Sequence, residues 1–115
     1  MKSVARFCLI LAAVVFAGCA TSTPIQRYGE SKSKFRDGVP VMSTEIPEGN
    51  WYRTYVQGAT GFVPISALRE DVESRAESFA RRQGKKMVVL GERISQPPYI
   101  LGNFPRIEIV FATVD

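Results

Sequence analysis

Residues 66–84 read SALREDVESRAESFARRQG, and this stretch decides the fold. Leu68, Val72, Ala76, Phe79 and Ala80 recur at three- and four-residue spacing, which puts them on one stripe of a helix. Ser66 offers a hydroxyl to the orphan N–H groups of a first turn. Glu70 and Asp71 suit the positive end of the helix dipole, and Arg81 and Arg82 the negative end. Gly84 suits the position just past a helix terminus. Asp71–Arg75 and Glu77–Arg81 are i,i+4 pairs in the favourable orientation. The spacing predicts a helix over about residues 67–83.

On the N-terminal side, Trp51 to Gln57 is aromatic and β-branched and reads as a strand. Trp51, Arg53 and Tyr55 share one face; Tyr52, Thr54 and Val56 share the other. Gly58 to Gly61 reads as a turn, and Phe62-Val63 as a short extended piece ended by Pro64. On the C-terminal side, Lys86 to Ile94 reads as a second strand. Its continuous apolar run Met87–Leu90 predicts cover on both faces for part of its length. Residues 95–105 hold Pro97, Pro98, Gly102 and Pro105 and read as a long loop. Arg106 to Val114 is the last strand, with Ile107, Ile109, Phe111 and Thr113 on one face and Arg106 and Glu108 on the other.

The expected fold is therefore α+β: a two-layer sandwich of one helix on a small sheet of about three strands, in the order β-α-β-β. A helix between the first two strands makes them parallel neighbours or near neighbours, and the last two strands pair antiparallel. The helix stripe is expected to pack on Ile107, Ile109 and Phe111.

The other end of the chain carries a different message. Met1 to Ala20 reads MKSVARFCLILAAVVFAGCA. Lys2 and Arg6 are followed by the uncharged apolar run Phe7–Ala17 and then by small residues before Cys19, which is the order of a secretory signal peptide. The run is shorter than the roughly 20 apolar residues that a spanning helix needs. Cys8, inside the run, reads as a small hydrophobe.

The segment Phe16-Ala17-Gly18-Cys19 resembles the lipobox of bacterial lipoproteins, with Phe16 where Leu is usual. The resemblance implies cleavage between Gly18 and Cys19, and acylation of the Cys19 sulfur and of the new amine. Ala20 in the following position, where that family's retention signal is Asp, implies delivery to the outer membrane. Each buried methylene of an acyl chain contributes about 0.8 kcal/mol, so three chains would make the anchor effectively permanent.

A second resemblance is carried by Ala76-Glu77-Ser78-Phe79-Ala80 leading to Gly84-Lys85, by Gly102-Asn103-Phe104-Pro105, and by Glu108-Ile109-Val110-Phe111. These pieces are similar to a group of small bacterial lipoproteins with a strand-helix-strand-strand domain, mostly of unknown function. In many of those proteins a helix cysteine bonds one in the last strand. The matching positions here are Ala80 and Thr113, which fits a mature chain whose single cysteine is Cys19.

The expected organisation is a signal peptide over 1–18, a lipidated cysteine and flexible tether over 19–44, and a small periplasmic domain over 45–115. Thr21 to about Pro40 is rich in Ser, Thr, Lys, Gly and Pro, without a sustained period. Arg27, Lys32, Lys34 and Arg36 lie in that stretch; a solvated linker is preferred over contact with anionic head groups. Val39–Met42 is a candidate edge strand.

Composition narrows the chemistry. The 115 residues include no histidine and two cysteines, which excludes Ser-His-Asp and Cys-His catalysis within the chain and four-thiolate zinc. The net charge is +4, and removing Lys2 and Arg6 leaves 13 basic against 11 acidic side chains, or +2. That balance gives little support to nucleic-acid binding. Acids are the one plentiful catalytic type, with Glu70, Asp71, Glu73 and Glu77 on the helix. Paired carboxylates suit acid/base work on glycans, but interleaved with Arg69, Arg75 and Arg81 these read better as a solvated face.

Of the aromatics, the early group Trp51, Tyr52, Tyr55 and Phe62 is expected in the core. The long loop carries Tyr99, Ile100, Leu101 and Phe104, the preferred candidates for partner contact. The reading is thus an outer-membrane lipoprotein whose small non-catalytic domain, without cofactor or metal, binds another envelope component. A carboxylate enzyme acting on cell-wall glycan, and a structural accessory that adds a strand to a larger assembly, are the alternatives.

Overall fold

The computed structural model describes residues 21–115. The expected signal peptide over 1–18, with the expected cleavage site at Gly18 and Cys19, lies outside the described residues. Five strands and one α-helix follow in order, with short 3-10 turns at Tyr28–Glu30 and Glu48–Asn50: strand β1 (Thr21–Ser22), strand β2 (Gln26–Arg27), strand β3 (Trp51–Gln57), helix α1 (Ile65–Arg82), strand β4 (Lys86–Ile94) and strand β5 (Arg106–Val114). Strand β5 lies between β3 and β4 and pairs antiparallel with both. Strands β1 and β2 pair antiparallel along the other edge of β3.

The sheet thus has five strands, not the expected three or so. The additional two come from residues 21–27, which composition placed in the tether. Both are two residues long, separated by Pro24 among others, and exposed on every residue. They join the sheet through backbone alone, so no alternation of apolar side chains marks them. Strands β3 and β4 run parallel, as expected of near neighbours across a helical crossover, with β5 between them.

One face of the sheet packs on the helix. Leu68, Val72 and Ala76 of α1 form a core cluster with Val56, Ile107, Ile109 and Phe111. Tyr52, Phe79 and Phe111 make a ring triad there, with the Tyr52 and Phe79 centroids 4.7 Å apart. Burying each large apolar side chain stabilises the fold by about 1.5–3 kcal/mol.

The second face is covered as well, so the molecule is not a two-layer sandwich. Leu90, Val110 and Ala112 pack under Tyr28, Val39, Val41, Ile46 and Trp51. The Trp51 indole donates to the Ile46 carbonyl at 3.0 Å, and Phe35 is buried against Tyr55. Residues 28–46 therefore form an irregular third layer. Because β5 is paired at both edges and covered on both faces, seven of its nine residues are buried. The continuous apolar run Met87–Leu90, expected to be the doubly covered segment, lies instead on edge strand β4, where Val88 is exposed. A bulge between Val89 and Gly91 reverses which side chains face the helix. Met87 before it and Ile94 after it consequently both pack on the helix side.

Helix α1 begins at Ile65, with Pro64 as its N-cap residue and no side-chain cap. Ser66 lies inside the first turn, so its expected capping role is not realised. Proline there lacks the N–H that a helix start would leave orphaned, and it fixes φ for entry. The C-terminus follows expectation. Gly84 at φ +70° lets its N–H reach Arg81 and the Lys85 N–H reach Ala80, the paired bonds of a Schellman turn.

Candidate functional site

The strands bring one end of the sheet together from four directions. Gln57 at the end of β3 faces both Thr21 and Arg106, and Ile94 at the end of β4 faces Ile107. The loops 58–64 and 95–105 both emerge there, and α1 starts there. The Gly58 N–H donates to the Pro105 carbonyl at 2.8 Å and joins the two loops. Gly61 lies directly under the Tyr99 carbonyl, where any Cβ would collide with backbone. Only glycine allows that approach.

Of the expected contact residues, the structure divides the set. Tyr99 and Phe104 are half-buried. The Tyr99 hydroxyl donates to the Ser95 carbonyl at 2.7 Å, and Asn103 donates to the Gln96 and Pro98 carbonyls, so the loop is folded on itself. Ile100 and Leu101 stand at the tip, 61% and 100% exposed. The tip is a tight turn closed by the Asn103 N–H on the Ile100 carbonyl, with Leu101 at φ +54° and Gly102 at φ +86°. Such turns favour Asn, Asp or Gly at both central positions.

Phe62 belongs with them. It was expected in the core with Trp51, Tyr52 and Tyr55, and those three are at least half-buried; Phe62 is 96% exposed. A single phenylalanine between glycine and Val-Pro has no periodicity to betray its direction. The detectable signal lay elsewhere: loops 58–64 and 95–105 together hold 18 residues without one charge, in a chain that is 23% charged. The opposite end of the domain carries Arg81, Arg82, Lys85 and Lys86.

The carboxylates assemble no reaction centre. Asp71 is bound by Arg75 at 3.1 Å on the outer face of α1, and Glu92 by Arg69 through two bonds of 2.7 and 2.9 Å. That bond to Glu92 holds the Arg69 guanidinium above its usual pKa. Arg75 also donates to the carbonyls of Thr23 and Tyr55, tying the helix to β3 and to the N-terminal segment.

Glu108 is the one fully buried acid among the described residues. On the face opposite Ile107 and Ile109, as the alternation predicts, it accepts from the Ser33 hydroxyl at 2.6 Å, the Lys34 backbone N–H at 2.8 Å and Arg53 at 3.2 Å. A carboxylate with three bonds accepted and no exposure to solvent holds layers together and is out of reach of a substrate. Next to it, burial pushes the Tyr55 phenol up from its usual pKa, against the pull of Arg106.

Among the described residues no cluster of His, Cys, Asp or Glu is placed to hold a metal ion. The depressions are shallow. One of about 250 Å³ is lined by Ile25, Ser74, Arg75, Ser78, Phe79 and Arg82, where neither serine meets a base. A wider one of about 480 Å³ lies between residues 37–40 and 92–96. No family model, curated protein or solved structure matches this chain.

Proposed function

We propose that this protein is an outer-membrane lipoprotein, held by acyl chains on Cys19, whose small domain is a non-catalytic contact module for another envelope component. The lipobox-like Phe16-Ala17-Gly18-Cys19 and the apolar run before it support the anchor. The single observation that supports contact, as opposed to chemistry, is the uncharged end of the domain with Phe62, Ile100 and Leu101 projecting from it. The acids that form ion pairs, Asp71, Glu92 and Glu108, sit on different elements, each held by an arginine.

Strand addition has weaker support. The Met42 N–H donates to the Leu90 carbonyl at 2.9 Å, so residues 39–42 occupy the middle of the β4 edge. What is left uncovered is short.

Two measurements test the proposal. Mass spectrometry of protein made in a bacterial host with lipoprotein processing should find a mature chain that begins at Cys19 and carries acyl groups. Cys19→Ser should leave the domain in the soluble fraction after envelope lysis. A mature chain that begins elsewhere, or a bare Cys19 thiol, overturns it.

A further inference from the structure

We infer that the envelope component met by this end of the domain is the lipid surface itself, with Phe62, Ile100 and Leu101 inserted among lipid head groups beside the anchor. This rests on the lipoprotein reading above.

The chain enters the fold at this same end. Thr21 pairs with Gln57 and Ser22 with Val56, so the chain traced backwards from Ser22 leaves past the Gly58 end of β3. Cys19 precedes Thr21 by two residues, and two residues span at most about 7 Å. An acylated Cys19 therefore holds the domain by the end from which the two uncharged loops project. No long tether intervenes, because the segment after residue 21 is paired to the sheet and tied down at Ser33 and Lys34.

The chemistry of that end suits a bilayer interface. Three of the five large apolar side chains exposed among the described residues are Phe62, Ile100 and Leu101. No charged residue in either loop would have to be dehydrated, and the basic cluster Arg81, Arg82, Lys85 and Lys86 lies at the far end. The half-buried Tyr99, its hydroxyl already bonded, suits the depth at which amphipathic rings collect.

Leu101 gives an independent reason. A fully exposed leucine in a left-handed backbone conformation violates two local preferences at once, and no packing in the fold compensates. Residues that break local rules without structural return are expected where function requires them. Affinity need not be high either. A short link makes insertion intramolecular, at an effective concentration in the millimolar range.

The test uses the full acylated chain in phosphatidylcholine vesicles. The mature protein has no thiol besides Cys19, so Phe62→Cys, Leu101→Cys and the far-end Glu48→Cys each take one nitroxide label. Accessibility to oxygen relative to a water-soluble nickel chelate should be several-fold higher at 62 and 101 than at 48, and should not change with salt. Water-like values at all three positions, with acylation of Cys19 verified by mass, overturn the inference and leave the lipoprotein reading standing. Protection of 62 and 101 only in native envelope membranes also overturns it, in favour of a protein partner. A bare Cys19 removes both. The three positions are exposed, so the substitutions leave the fold intact.

Discussion

The Glu108 carboxylate and the Ser33 hydroxyl lie 75 positions apart in the chain and 2.6 Å apart in the fold. Through this contact the irregular N-terminal layer is fastened to the central strand. Ser33 Oγ also accepts the Phe35 N–H at 3.0 Å, which shapes the segment that the carboxylate holds.

Glu108→Ala removes three hydrogen-bond acceptances and leaves the Arg53 guanidinium nine-tenths buried without its partner. Breaking a buried pair in this way costs about 3–5 kcal/mol, whereas replacing both partners by apolar side chains is often close to neutral. Denaturant unfolding should show that loss for Glu108→Ala and a smaller one for Glu108→Leu combined with Arg53→Met. Hydrogen exchange at the Lys34 amide should accelerate in both. Equal stability of Glu108→Ala and the parent chain would contradict the structural role.

Ser66→Ala should change stability by less than about 0.5 kcal/mol, as for an exposed side chain without a partner. Were Ser66 the cap that its sequence context suggests, the loss would be near 1 kcal/mol. Thermal unfolding of the two chains decides between Pro64 and Ser66 as the residue that starts the helix.

Leu101→Asn should stabilise the domain by about 1 kcal/mol, because Asn tolerates the left-handed backbone better than leucine does. The same change should lower the lipid protection of a label at position 62. A destabilised Leu101→Asn would mean that the leucine side chain has a packing role in the fold.

Gly61→Ala forces the loop 58–64 away from the Tyr99 carbonyl, since the added methyl meets backbone that cannot rotate aside. A melting temperature lower by several degrees is expected, as about 1 kcal/mol moves a domain of this size by some 4–8 °C. Unchanged melting would show that the two loops are not in contact.

The raised Tyr55 pKa makes stability fall in alkali. The unfolded phenol titrates near pH 10 and the folded one above it, so between those values the native state binds more protons. The contribution is whole below about pH 10 and is lost as pH rises through the folded value. In a titration followed by tyrosinate absorbance, Tyr55→Phe should remove a step that lies above the ordinary phenol range of about pH 10. A titration curve that Tyr55→Phe leaves unchanged above that range would contradict this environment.

Much of the regular structure was legible in the residues. The stripe Leu68-Val72-Ala76-Ala80 and the Gly84 stop are local signals, and they led to the helix within two residues at either end. The three longer strands were legible for the same reason. The pairing of β1 and β2 was not, because backbone pairing at an edge leaves no pattern in exposed side chains. The burial of Glu108 was not legible either: alternation along β5 assigns it a face, and only residues 28–46, folding back from far away in sequence, decide that the face is covered.

The same division holds for the candidate site. The amino-acid sequence by itself determined the apolar run Phe7–Ala17, the cysteine after it, the helix and the uncharged loops, since each is a property of neighbouring residues. Tertiary structure alone decided that Thr21, Phe62, Ile100 and Leu101 gather at one end of the sheet. Strand register sets which ends coincide, and register depends on pairs as distant in sequence as Trp51 and Ala112, which no local pattern encodes.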